Sequence, residues 1–560
     1  MVDTYFLGCF FDAYSVRGCG SQMGPQAAPL VRLAHFYYIN SMALKRFPIG
    51  VQDFARIRED GMYYVDKTDL VYKLTHTDLY YFLSRPRRFG KSLLISTLQC
   101  YFEGRKDLFT GLAMEKLETE WKKYPVIRLD MSRIKDLDDE IFAANMDSIL
   151  GVIEKKYGIK HDRNNRAWGA RLTSLIYAAN EQTGEPVVVL VDEYDAPVLE
   201  AMGDTELLKK IRTRMRDLYS PLKALGGILR FVFLTGISKF SQLSIFSELN
   251  NLNIITMDDE YAAICGITKE EVLTQMQDYI ERLARANEWT IEEATSRLKQ
   301  QYDGYHFAWP SPDLFNPFSL LSAFNANRIE SYWFASGTPT YLIEMMRRFG
   351  TQPADIHLME GDASDFDAPT EGMTTILPLL YQSGYVTIKG YDRDFNYYRL
   401  DIPNREVRIG LTRSLIPAYI TPNTLVVNNT ARRMAQFIAQ GDVDGALKLL
   451  QQFLLTVPYC DNANSEGHYQ QVLYIIFTLV TGYFADVEVH TPTGRVDMVM
   501  KTAKALYLFE LKLNKSAQAA MEQINLKDYA SRFALSGLPI VKVGINFNPE
   551  RRTIGDWKTE

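Results

Sequence analysis

The chain has no apolar run approaching the roughly 18–20 residues that would span a bilayer. Its longest interior runs are strand-sized pieces such as residues 187–191, so no membrane partner is expected. Cysteine is scarce and scattered: five residues, Cys9, Cys19, Cys100, Cys265 and Cys460, with no Cys-x-x-Cys pair and no histidine at ligand spacing. That argues against a disulfide framework or a structural zinc site and fits a reducing compartment. Cys100 and Cys265 sit among apolar residues and read as small buried hydrophobes. Excess positive charge is missing too. With a net charge of -6, any contact with nucleic acid has to come from local patches. No repeat or low-complexity segment interrupts the chain.

What remains is a globular composition, 47% hydrophobic and 23% charged over 560 residues. That length exceeds the roughly 250–300 residues at which single cores stop growing, so several folding units are expected. The first 41 residues lack the basic start of a secretory signal, and regular patterning begins only at Met42. They read as an extension from a start codon placed too early.

Short apolar runs at 80–84, 126–130, 187–191, 229–234 and 253–257, separated by helical stretches, predict a parallel sheet with crossover helices on both faces. A capping box, Thr268 with Glu271, opens a helical region, with apolar residues at helical spacing from 272 to 298. The aromatic and turn-rich stretch from 302 to 340 yields no regular fold. Towards the end, a helix over 466–483 precedes strands at 487–490, 495–500 and 505–513, a helix over 517–533 and a strand at 540–547. This describes a second, smaller α/β unit.

Two motifs carry chemistry. Arg87, Arg88, Phe89, Gly90, Lys91, Ser92 and Leu93 lie between an apolar strand and a helix, the setting a phosphate-binding loop requires. Main-chain N–H groups at a helix start converge on phosphate oxygens, Lys91 reaches the β- and γ-phosphates, and the Ser92 hydroxyl joins a Mg²⁺ shell. Arg85 stands where such loops usually begin with glycine. Strand 187–191 then delivers Asp192 to hold Mg²⁺ and Glu193 to orient or deprotonate water, with Asp195 read as structural. Thr235 and Ser238, after the next strand, are either phosphate sensors or turn residues bonding backbone. The basic helix with Lys209, Lys210, Arg212, Arg214 and Arg216 reads as a solvated face, with an arginine finger or a phosphate-backbone contact as the alternatives.

The second motif is Glu510-Leu511-Lys512. In a strand, Glu510 and Lys512 share one face, and Asp497 in the preceding strand would come alongside. Two carboxylates and a lysine suit Mg²⁺-assisted phosphodiester hydrolysis, with Asp497 and Glu510 as metal ligands and Lys512 positioning water. Glu466 is a further candidate ligand, and Gln523 and Tyr529 could steady Lys512 or touch the phosphate. A bare surface ion pair is the plainer alternative.

Taken together, Phe47-Pro48-Ile49-Gly50, Tyr64-Val65-Asp66-Lys67-Thr68, residues 85–93, Asp192-Glu193-Tyr194-Asp195, residues 235–241, residues 302–307, and residues 494–497 with 510–512 resemble bacterial proteins that pair an AAA-ATPase-like domain with a C-terminal PD-(D/E)XK nuclease-superfamily domain. In that family the arginine-rich loop without a first glycine is the normal form. The resemblance implies a P-loop NTPase sheet, a restriction-endonuclease-like C-terminal domain, and ATP and Mg²⁺ as cofactors. It also implies a cytoplasmic bacterial setting. The expected boundaries are 42–266 for the ATPase-like domain, 267–430 for a helical lid and connector, and 431–560 for the nuclease-like domain. The leading expectation is an ATPase controlling a nuclease that acts on nucleic acid, DNA before RNA, with a homo-oligomer compatible. The competing reading is a nucleotide-dependent signalling or scaffold protein whose nuclease-like domain binds without cutting. A small-molecule kinase is disfavoured, since Glu193 suits water activation.

Overall fold

The computed structural model describes residues 44–560 except 136, 161–164, 203, 240–251, 337–339, 357–358, 369–372, 421–423, 458–464, 483–485, 491–496, 503, 527–536, 549 and 552. The suspected extension at 1–41 lies outside them, as do Tyr529 and the turn at 491–494. Phe47–Glu560 is one compact unit.

The expected parallel sheet forms from β1 (Tyr80–Ser84), β2 (Val126–Asp130), β3 (Val187–Asp192), β4 (Leu229–Gly236) and β5 (Asn253–Ile254), in the order β2-β3-β4-β1-β5. The last is shorter than the 253–257 read from sequence. Strand alternation explains why both faces are covered. Tyr81, Leu83, Val188, Leu190, Phe231 and Phe233 feed one core, while Tyr80, Phe82, Val187, Val189, Val191 and Leu234 feed the other. Helix α1 (Lys91–Phe102) packs on the first face. Helices α2 (Asp139–Lys156), α3 (Trp168–Thr183) and α4 (Thr205–Tyr219) pack on the second. Register aligns Ser84 with Gly236 and Asp130 with Asp192. The loop after β1 and the carboxylates after β3 thus meet at the carboxyl edge of the sheet, where ligands of open α/β sheets bind.

The helical region divides more finely than its sequence pattern. The run 272–298 becomes α5 (Lys269–Gln275), α6 (Gln277–Ala286) and α7 (Ile291–Tyr302). The capping box at Thr268 is present, and Thr290 with Glu293 forms a second one that opens α7. Helix α8 (Pro317–Ala326) starts at the Asn316 cap. The middle region is not all helix. Strands β6 (Ile267–Thr268) and β7 (Leu314–Phe315) pair, and β8 (Met359–Gly361), β9 (Thr387–Asp392) and β10 (Tyr397–Asp401) form an antiparallel sheet in the order β8-β10-β9.

Helices α9 (Arg405–Tyr419), α10 (Thr424–Gln440), α11 (Val443–Leu454) and α12 (Ser465–Thr481) lead to the last unit. There β11 (Asp486–His490), β12 (Asp497–Lys501), β13 (Leu506–Leu513), β14 (Ile540–Asn548) and β15 (Thr553–Thr559) form a sheet in chain order. Only the β13–β14 pair is parallel, bridged by α13 (Ala517–Leu526). Strand β15 was not read from sequence: Thr553–Thr559 is polar enough to pass for a tail, and its pairing with β14 defines it. The core containing Leu83 and Phe89 runs on without a break to Tyr507 and Val543.

Candidate nucleotide and nuclease sites

Gly90 (φ 97°) and Arg88 (φ 71°) both occupy the left-handed region. The turn needs this geometry to reverse the chain from β1 into α1, and at Gly90 the absence of a Cβ makes it inexpensive. Main-chain N–H groups at the start of a helix lack intrahelical acceptors, which makes such a start an anion site. Arg87, Arg88 and Gly90 are exposed, Ser92 and Leu93 partly so, and Phe89 and Lys91 are buried. The Lys91 ammonium donates to the carbonyls of Arg85 (2.9 Å) and Pro86 (3.2 Å). Burial lowers its pKa, opposed by the negative charges of Glu193, Asp195 and Asp192.

Asp192 is 3% exposed at the end of β3, and its Oδ1 has no hydrogen-bond partner among the described residues. Burial raises its pKa, and hydrogen bonding from the Ser92 side chain works in the opposite direction. A buried carboxylate oxygen left unsatisfied is costly. A hard cation shared with Ser92 would satisfy it, so the donor set fits Mg²⁺. Glu193 follows with φ 48°, a strained setting for a residue other than glycine. Asp195 is structural: its Oδ2 accepts from the N–H groups of Ile237 (2.9 Å) and Ser238 (2.7 Å), and burial pushes its pKa up to about 6. Thr235 donates its hydroxyl to the Leu83 carbonyl at 2.8 Å, the backbone-bonding alternative. In the basic helix, Lys210 and Arg214 are ion-paired to Asp139.

The structure adds supporting contacts that sequence reasoning did not supply, from the inward turn of Arg85, the Tyr305 and Phe307 rings, Gly384 and Arg128. Arg85 is 1% exposed and donates to the carbonyls of Ser84 (2.9 Å) and Thr256 (2.8 Å). Its guanidinium lies 4.4 Å over the Phe307 ring. The position usually given to glycine is thus filled by a side chain turned into the core. Phe89 packs edge-on against Tyr305 (4.9 Å) and Phe307 (5.1 Å), so the 302–307 stretch clamps the loop. A Cβ on Gly384 would lie 2.7 Å from Pro86, a close approach only glycine allows. Arg128 Nη2 stands 3.9 Å from Asp192 Oδ2. A charged residue in the middle of strand β2, between Ile127 and Leu129, was its signal.

In the last unit, β12–β13 register sets Asp497 directly opposite Glu510. Glu510 is fully buried, and Lys512 Nζ donates to its Oε1 at 2.6 Å and to Gln523 Oε1. The pair is therefore buried, not a surface ion pair. Glu466 lies on α12, and its side chain, like that of Asp497, is outside the described residues. No group of three or more His, Cys, Asp and Glu capable of holding a metal occurs among the described residues. No described helix is long and apolar enough to cross a membrane.

A parallel sheet presenting a P-loop beside a strand-end carboxylate, followed by a mixed sheet presenting Asp, Glu and Lys, defines a P-loop ATPase-like and nuclease-like class. Residues 48–246 match the family described as predicted AAA-ATPase, and residues 464–557 match the PD-(D/E)XK nuclease superfamily. A protein of Azotobacter chroococcum mcd 1, described as "Uncharacterized protein in vnfD 5'region", is 35% identical over 533 residues, 93% of this chain and 99% of its own. The chain belongs to the family that joins an AAA-ATPase-like domain to a C-terminal PD-(D/E)XK nuclease-superfamily domain.

Proposed function

We propose that the protein binds and hydrolyses ATP with Mg²⁺ and that this reaction controls a metal-dependent nuclease acting on DNA in the cytoplasm. The observation that carries the nucleotide half is the buried Asp192, with an unpartnered Oδ1 and the Ser92 hydroxyl acting on it from the start of α1. Lys91 now spans the loop carbonyls and would exchange them for phosphate oxygens. Ser92 and Asp192 would hold Mg²⁺, which when bound neutralises charge developing on the phosphates. Glu193 orients the attacking water and takes its proton.

In the nuclease half, Asp497, Glu510 and Glu466 would hold the metal, and Lys512, held by Glu510 and Gln523, would position the water. The cross-strand pairing of Asp497 with Glu510 supports this reading. A paired assay tests both halves. ATP hydrolysis is measured with Lys91→Ala, and Mg²⁺- or Mn²⁺-dependent DNA cleavage with Asp497→Ala and Lys512→Ala. ATP turnover indifferent to the first change refutes the nucleotide half. Cleavage that survives both of the others refutes the nuclease half.

A further inference from the structure

Arg88 stands three residues before Lys91, exposed, with its backbone in the left-handed region at φ 71°. Glycine takes that conformation freely, whereas a side chain there costs energy, so an arginine at this place calls for a use. Its guanidinium rests 4.5 Å over the ring of Phe318, in the first turn of α8. Pro317 and Leu321 of the same helix line, together with Gly90 and Leu93, a pocket of about 90 Å³ at the start of α1. The helix that carries the resting place thus borders the P-loop-like turn. Other cations nearby are committed. Arg85 is buried on main-chain carbonyls, Arg128 faces Asp192, and Lys210 and Arg214 of α4 are paired with Asp139. Arg87 acts electrostatically on Tyr385, whose ring packs against Trp333. Arg88 has no carboxylate partner among the described residues. A cation–π contact at an exposed site is weak beside a charge-assisted bond to phosphate, so this guanidinium is free to exchange one for the other.

We infer that Arg88 is a catalytic residue of ATP hydrolysis, a cation delivered in cis from the loop itself, with the Phe318 ring as its resting place; the inference rests on the P-loop reading above. In the reaction the water oxygen bonds to the γ-phosphorus and its proton passes to Glu193. The bond from that phosphorus to the β–γ bridging oxygen breaks, and its electron pair stays with ADP. Negative charge grows on the bridging oxygen, and guanidinium N–H donors placed there stabilise the transition state more than they stabilise bound ATP. An arginine carried by the same chain makes hydrolysis independent of a second copy.

The test compares single-turnover hydrolysis with equilibrium binding of Mg-ATP and of Mg-ADP with aluminium fluoride, a transition-state mimic, on the full chain. Arg88→Gly suits the left-handed backbone, so it removes the guanidinium without straining the loop. It should slow hydrolysis at least about 100-fold and weaken the mimic by a similar factor, with ATP affinity within about threefold of the parent. Phe318→Ala removes only the resting place and should leave the rate within about threefold. An unchanged rate in Arg88→Gly, or equal losses for ATP and the mimic, overturns the inference. A Phe318→Ala defect as deep as that of Arg88→Gly also overturns it, by making the contact a structural clamp. Arg88→Gly chains mixed with Lys91→Ala chains should regain no hydrolysis; regained activity would place the arginine in a neighbouring subunit's site and overturn the assignment in cis. Lys91→Ala alone tests the underlying reading. A parental rate and affinity there refutes the P-loop, whereas a loss there beside an unaffected Arg88→Gly refutes only the role of Arg88.

Discussion

The guanidinium of Arg85 lies 4.4 Å over the ring of Phe307, joining the first residue of the P-loop-like turn to the middle region. The same group donates to the carbonyls of Ser84 and Thr256. Restoring the commoner glycine by Arg85→Gly would remove a buried cation and leave those carbonyls without it. The expected loss of stability is about 2–3 kcal/mol, read as a lower denaturant midpoint, with ATP affinity falling as well. An unchanged midpoint would mean that the arginine is dispensable to the fold.

Glu193→Gln separates binding from chemistry. The amide keeps the shape but cannot take a proton. Hydrolysis should drop by about 10²–10⁴-fold, with ATP affinity close to that of the parent. Steady-state phosphate release and equilibrium binding on one sample check this, and a retained rate would remove Glu193 from the role of base.

Glu510→Gln should abolish Mg²⁺-dependent DNA cleavage, because it removes a proposed metal ligand and the anion facing Lys512. A loss of at least about 100-fold is expected, with ATP hydrolysis on the unaltered P-loop still measurable. A chain that binds DNA with equal affinity before and after the change and never cuts it would favour the non-cutting scaffold reading.

Asp303 gives a pH signature. It is 2% exposed, and burial, eased by the Gly304 N–H, pushes its pKa from 3.8 to about 6. Between about pH 4 and 6 the native state therefore holds a proton that the unfolded chain releases. Stability contributed here falls as pH rises from about 4 through about 6. Asp303→Asn should stabilise the protein by about 1–3 kcal/mol above pH 7, an advantage that shrinks as the pH drops through that window. Denaturant midpoints of both proteins against pH measure it. A constant difference would assign the effect to packing and not to charge.

Much of this fold is written locally. Strands β1 to β4 are apolar runs long enough to be covered on both faces, so composition and spacing sufficed to place them. The loop from Arg87 to Leu93, Asp192 and Glu193 after a buried strand, and the Glu510–Lys512 face are equally local: each depends on side-chain period and on what immediately precedes it. The capping box at Thr268 is local as well. Weak or polar strands were a different matter. Strands β8 to β10 and β15 have no strong apolar pattern of their own and exist because a neighbour supplies the ladder.

Distance along the chain set the other limit. Sequence alone determined that a P-loop-like turn, a strand-end carboxylate pair and an acid-lysine strand are present. Only the tertiary structure decided that β4 lies between β1 and β3, that Asp497 pairs with Glu510, and that Arg85 turns inward over the Phe307 ring. It also decided that residues near 264 and 321 close a pocket beside Leu93. The physical reason is that motif chemistry rests on neighbours a few residues apart, whereas a buried cation's partners and a pocket's walls come from segments joined only when the core excludes water.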